Sequence, residues 1–175
     1  MKPGLHHLRG IRVEPTWIST KLDENDNNFK ANVFIPNHSR VAFDLVSLPD
    51  PTSPPLALLQ SANSAQGNVT FDSFLFDENI GTIFIDNLAL EPGMNEYVMR
   101  ATVENGPVLK GLAKKPYCEQ GGILPIAISG KTVVNKGQDL PYFRDALAAS
   151  RLTIDIPIGK AVKDNLGLDV PCAKE

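Results

Sequence analysis

Apolar side chains recur at every second residue through most of this chain, a spacing that suits extended strands with one face buried. Phe29, Ala31, Val33 and Ile35 share one parity and stop at Pro36-Asn37. Proline donates no ladder hydrogen bond and asparagine tolerates turn geometry, so a strand ends there. Val41, Phe43 and Leu45 follow, then Val69, Phe71, Ser73 and Leu75. Asp77-Glu78-Asn79 reads as a turn before Ile83 and Ile85, and Gly81 relieves the chain just after it. Glu91-Pro92-Gly93-Met94-Asn95 reads as a loop, with Pro92-Gly93 suited to the middle of a type II turn. Tyr97, Met99, Ala101 and Val103 alternate with Glu96, Arg100 and Thr102 until Asn105-Gly106-Pro107. Ile123 to Val134 reads as two short strands about Gly130-Lys131, and Leu152, Ile154, Ile156 and Ile158 as a late strand. Ile11, Val13 and Trp17 open the series. Seven or more short strands separated by turn chemistry predict a mainly all-β, antiparallel sandwich of the immunoglobulin/fibronectin-like kind.

One short helix is expected near 139–150. Asp139 caps it, Pro141 sits in its first turn, and Leu140, Phe143 and Leu147 share a face. Val108 to Lys115 adds a helical turn. The domain is expected over 10–160, with tails at 1–9 and 161–175. Residues 46–66 interrupt what otherwise reads as a hairpin between Val41-Leu45 and Gly67-Phe76. They are rich in Pro, Ser and Ala, and unstructured insertions this long are uncommon in compact domains. Two readings stay open. One is a long irregular loop. The other is a retained in-frame intron, since Val46-Ser47, Ala62-Asn63 and Gln66 are compatible with donor, branch and acceptor codons.

The 175 residues, 42% apolar and 21% charged, suffice for one self-supporting core. A net charge of -3 implies no strongly basic face, which argues against nucleic acid as a partner. No run of 18 apolar residues is long enough to span a membrane. Met1 to Arg9 lacks the apolar centre of a signal peptide, so the chain taken as it stands is expected to be soluble and cytosolic. Asn37-His38-Ser39 and Asn68-Val69-Thr70 are acceptor tripeptides for N-linked sugar, which matter only in a secretory lumen. Cys118 and Cys172 form one disulfide in an oxidising compartment, or remain two unpaired thiols otherwise.

Residue types that carry catalysis are sparse. There is no Gly-x-Ser-x-Gly elbow, phosphate loop or dinucleotide fingerprint, and neither cysteine has a recognisable catalytic context. The expectation is a protein that is not an enzyme and holds no cofactor or metal. His6-His7 are neighbours that point to opposite faces of an extended segment, poor geometry for one ion. Asp23 to Asn28 is acidic but lacks the spacing and glycine of a helix-loop-helix calcium site, and reads as a solvated loop. Lys110 to Lys115 carries three lysines and reads as an exposed turn, with contact to anionic lipid heads as the alternative. Phe74 and Phe76 share the parity opposite Phe71 and Leu75, so both faces of that strand are apolar. Together with Phe84 they form a candidate apolar ligand face unless the chain's own helix covers them.

With 46–66 set aside, the order of short motifs resembles a fungal family of uncharacterised, membrane-anchored proteins related to the late-embryogenesis and water-stress (WHy) β-sandwiches. The likeness rests on Phe34-Ile35-Pro36-Asn37-His38-Ser39, Gly67-Asn68-Val69-Thr70-Phe71 and Ile80-Gly81-Thr82. It continues through Leu90-Glu91-Pro92-Gly93-Met94-Asn95, Met99-Arg100-Ala101-Thr102-Val103 and Leu140-Pro141-Tyr142 with Ala146-Leu147. It spans roughly residues 10 to 160. The resemblance implies a non-enzymatic binding or structural module of a larger protein, membrane-associated, in a vacuole or outside the cell. Its partners would be neighbouring domains or a lipid-like ligand, the latter held in an apolar furrow. Family members carry a membrane helix and often several such domains. This chain shows neither, and so resembles a fragment.

Overall fold

The computed structural model describes residues 10–37, 43–44, 67–135, 138–149, 151–169 and 172. The strands are β1 (Arg12–Ile18), β2 (Phe29–Asn37), β3 (Phe43–Asp44), β4 (Gly67–Leu75), β5 (Glu78–Asp86), β6 (Ala89–Leu90), β7 (Gly93–Val103), β8 (Ile123–Asn135), β9 (Gln138–Asp139) and β10 (Leu152–Pro157). The helices are α1 (Asn105–Leu112), α2 (Pro141–Ala148) and α3 (Ile158–Leu166).

Strict alternation decides which side of each strand faces inward. On β2, Phe29, Ala31 and Val33 are buried while Lys30, Asn32 and Phe34 face the other way. On β4, Val69, Phe71, Ser73 and Leu75 are buried, and Asn68, Thr70, Asp72 and Phe74 are not. Burying one such aliphatic or aromatic side chain stabilises by roughly 1.5–3 kcal/mol. A one-residue slip of β4 would place Asn68, Thr70 and Asp72 inside, so the core fixes the register.

The ladders are antiparallel and run β1-β2-β7-β5-β4-β8-β10, with β9 paired to the end of β8. β3 pairs only with β6. β1 and β10, at the two ends of the order, lie alongside each other, although among the described residues no ladder joins them. The sheet is therefore one nearly closed, barrel-like wall around a single core. α1 and α3 close one end, adding Val108, Leu112, Ile158, Ala161 and Val162 to that core. α2 lies outside, over β8, where a Cβ on Gly130 would come within 2.6 Å of the Leu147 Cβ.

Several expectations change. The expectation of two stacked sheets gives way to one continuous ladder of eight strands, with β3 and β6 as a separate pair. β3, the described part of the segment expected to form a hairpin with Gly67-Phe76, does not pair with β4; β4 sits between β5 and β8, and the rest of Val41-Leu45 lies outside the described residues. The two strands expected about Gly130-Lys131 are one strand of 13 residues. The ladder shifts register there, Thr70 facing Thr132 and Phe71 facing Gly130. Lys131 is thus an inserted bulge residue that bends the strand without ending it. Asp139 does not cap α2, whose preceding residue is Leu140; its carboxylate instead meets Arg144 at 3.4 Å. There are three helices among the described residues rather than one. The expected tail from 161 begins inside α3, because Ile158, Ala161 and Val162 have helical spacing and a place in the core. The segment 46–66 and the tail 1–9 lie outside the described residues.

Gly81 shows how close the wall strands approach. Its φ is +146°, and a Cβ there would stand 1.9 Å from the Thr102 carbonyl oxygen of β7. Gly93 also has positive φ, +103°, but nothing lies within 4 Å of its missing Cβ. Gly93→Ala should therefore cost about 1–2 kcal/mol for handedness alone. Gly81→Ala should cost about 3 kcal/mol or more, because the backbone must also shift. Urea unfolding of the two variants measures the difference.

Candidate functional site

The helix-closed end gathers the residues with the most distinctive geometry. The loop 19–28, the turn between β4 and β5, α1, the segment 113–122 and the start of α3 all meet there. Antiparallel order brings them together: β1, β4, β7 and β10 finish at this end, and β2, β5 and β8 begin there.

Beneath the helices is an apolar cavity of about 30 Å³, lined by Ile18, Ile80, Met99, Val108, Ile156 and Ile158 among others. That is room for about one water molecule. Three polar side chains border it, Asn28 and Ser73, which are buried, and Asn105 at the start of α1, which is partly exposed. Asn28 acts as a short piece of strand: its Nδ2 donates to the Val103 carbonyl at 2.7 Å, and its Oδ1 accepts from the Val103 N–H at 2.8 Å. Ser73 Oγ donates to the Gly81 carbonyl at 2.9 Å. Asn28 and Ser73 thus complete the wall rather than aim a group at the cavity.

The cover is fastened at two points. Gly159 N–H donates to the Gly122 carbonyl at 2.9 Å, and a Cβ on Gly122 would stand 2.5 Å from the Gly159 Cα. Only glycine permits this crossing. Cys118 and Cys172 are bonded, with S–S 2.01 Å and Cα–Cα 5.3 Å, tying the segment after α1 to the chain beyond α3.

At the rim, Leu75 pairs with Glu78, which leaves Phe76 and Asp77 as a two-residue hairpin turn. Their φ values are +51° and +67°. Mirror-image turns of this kind favour Asn-Gly, and left-handed backbone costs an ordinary residue roughly 1–2 kcal/mol. Phe76 nonetheless occupies the turn and stays 45% exposed. Its ring lies 5.4 Å from that of Tyr117, with Lys114 Nζ 4.6 Å from its centroid. Next to it, the Arg151 guanidinium stacks 3.9 Å over Phe74 and meets Asp77 at 2.9 Å.

The three phenylalanines expected on one apolar face do not line a common furrow. Phe74 points outward beneath Arg151, and Phe76 has left the strand for the turn. Phe84 is also outward but faces Thr70, four residues along β4 from Phe74, or about 13 Å. Asn37 is buried at the end of β2, and Asn68 is exposed on β4. His6, His7 and His38 lie outside the described residues. Among the described residues no cluster of three or more His, Cys, Asp or Glu is arranged to hold a metal, and no helix is long and apolar enough to cross a membrane.

Asp23 organises the 19–28 loop. Its Oδ1 accepts from the N–H groups of Asn27 and Asn25, each at 2.9 Å, and its Oδ2 meets Lys30 at 2.9 Å. The Asn27 N–H, then Lys30, with a further contribution from Asn25, hold the carboxyl well below the usual carboxylate range. The chain matches no protein-family model, no curated protein and no solved structure.

Sequence reasoning did not reach Tyr117, Lys114 or Arg151 as neighbours of the phenylalanines. Their proximity depends on how the chain returns to this end after α1 and after α2, which periodicity does not encode.

Two outcomes follow from this geometry. A folded-state carboxyl held low stabilises above its unfolded pKa of about 3.9 and loses that contribution as pH falls. Between about pH 4 and pH 2 the unfolding free energy should fall more steeply in the parent chain than in Asp23→Asn, as denaturant titrations at each pH would show. The disulfide spans 54 residues of sequence. Loop-closure entropy for that length amounts to about 4 kcal/mol, so Cys118→Ser/Cys172→Ser should lose up to that amount under non-reducing conditions. The two proteins should converge in excess dithiothreitol.

Proposed function

We propose that the chain is a non-enzymatic binding module that engages a partner through the rim around Phe76. The observation that carries this reading is an exposed phenylalanine in a left-handed turn. A residue that costs stability where asparagine or glycine would not is explained by what it contacts. Phe76, exposed, and Tyr117, partly exposed, form an aromatic pair, the residue type enriched where proteins bind one another, and Lys114 sets a positive charge beside it. The sequence resemblance supports placing the module in a larger membrane-associated protein facing a lumen or the cell exterior, with a neighbouring domain as the partner.

Two features weigh against the lipid-carrier alternative. The interior cavity is about 30 Å³, whereas ligand sites usually measure about 300–1,000 Å³. The three phenylalanines also point to separate places. We read the scaffold as barrel-like rather than as an immunoglobulin-like pair of sheets, a reading supported by the continuous ladder.

Phe76→Asn separates binding from folding. It relieves about 1 kcal/mol of backbone cost, because asparagine tolerates the turn, and gives up ring contacts of similar size with Tyr117 and Lys114, so stability should change by less than about 1 kcal/mol. A photo-crosslinking phenylalanine analogue at position 76, incorporated in the source cells, should capture a protein partner. The same analogue at exposed Tyr142 of α2 should not. Crosslinks at 142 alone, or an acyl lipid in stoichiometric amount in the native mass spectrum, would overturn the reading.

A further inference from the structure

The two N-x-Ser/Thr tripeptides place their asparagines on opposite faces of the barrel wall. Asn37 has the parity of Phe29, Ala31 and Val33, and only 9% of it is exposed. A side chain so enclosed leaves no space for a sugar on its Nδ2 in the folded wall, so a chain glycosylated there before folding could not close β2 into this sheet and would not accumulate. Asn68 has the opposite parity, with Thr70 and Asp72, and is exposed. Val69 between them is fully buried, so Asn68 and the hydroxyl-bearing Thr70 are displayed on the same outer face.

Two further observations bear on this site. Cys118 and Cys172 are joined, a bond that persists in the same oxidising compartments where asparagine is glycosylated. Phe84 lies diagonal to Asn68, since β4 and β5 pair Asn68 with Asp86 and Thr70 with Phe84. Diagonal neighbours on a sheet face are about 7–8 Å apart, within reach of an aromatic ring. Phe74 and Phe76 each have a cation over the ring, and no such contact is made by Phe84 among the described residues. Its partly exposed ring is therefore an apolar rest beside the acceptor nitrogen.

We propose that Asn68, and not Asn37, carries an N-linked glycan, with the first sugar lying over Phe84. In the reaction the Asn68 carboxamide nitrogen bonds to the anomeric carbon of a lipid-pyrophosphate-linked oligosaccharide. The bond from that carbon to the pyrophosphate oxygen breaks, the lipid pyrophosphate leaves, and the nitrogen gives up one proton. Transfer precedes folding, so the 2.6 Å hydrogen bond between Thr70 and Thr132 in the finished sheet does not compete with it. The assignment shares the lumen- or exterior-facing placement of the proposed function. It does not use the Phe76 rim, so either can fail without the other.

The test uses protein isolated from its source cells. Treatment with peptide-N-glycosidase in ¹⁸O water should convert Asn68 to labelled aspartate, read by peptide mass spectrometry, and leave Asn37 unlabelled. Asn68→Gln and Thr70→Ala should each abolish the mass loss on enzyme treatment, while Asn37→Gln should retain it. An unlabelled Asn68, or label at Asn37, overturns the assignment. For Phe84, removing the glycan should lower the melting temperature of the parent chain more than that of Phe84→Ala. An equal drop in both would overturn the role given to Phe84.

Discussion

Each strand of the wall divides its residues between two sides, and because β1 and β10 come together, one of those sides encloses the only core the described residues share. That constraint reaches every other feature. A nearly closed wall sets its two edge strands, β1 and β10, alongside each other, which shields edges that would otherwise be open to other chains. It also fixes what each residue can do from its parity alone: Asn37 is held inside, Asn68 outside. The outward cations are met by carboxylates at short range, Arg12 by Glu14, Arg100 by Asp86 and Lys131 by Asp72. Exposed pairs of this kind contribute about 0–1 kcal/mol each, so they shape the surface more than they hold the fold.

Closing the sheet leaves an open end that must be covered. α1 and α3 do this with five buried apolar side chains, those of Val108, Leu112, Ile158, Ala161 and Val162. The Gly122–Gly159 crossing and the Cys118–Cys172 bond fix the cover in place. With the base so fixed, the β4–β5 turn can hold Phe76 in a costly conformation against Tyr117 and Lys114. The strain and the rigidity belong together, because a loosely supported turn would relax.

The alternation that made the strands legible is a local property, and it was sufficient to locate nearly all of them. Register and partner choice are not local. Nothing in Val41-Phe43-Leu45 says that Phe43 will pair with Leu90 rather than enter a hairpin with β4. Lys131 looked like a strand end because a bulge and a turn use similar residues. α3 is legible in the helical period of Ile158, Ala161, Val162 and Leu166, but Ile158 also continues the alternation of Leu152, Ile154 and Ile156, so periodicity alone does not place the boundary between β10 and α3. The candidate site was legible only in part. Phe76 stood out as an aromatic beside a turn. Its left-handed backbone and its neighbours Lys114 and Tyr117 arise from long-range closure. The two cysteines admit a single pairing, yet only the position of the segment beyond α3 brings them to bonding distance.

The continuous wall is most directly tested by cross-strand nuclear Overhauser contacts on uniformly labelled protein. The account predicts contacts at all six interfaces, including Val33 with Tyr97, Ile83 with Ala101, Val69 with Val133 and Ile154 with Ile126. Absence of the β5–β7 or β4–β8 contacts, with the others retained, would divide the strands into two separate sheets and contradict it.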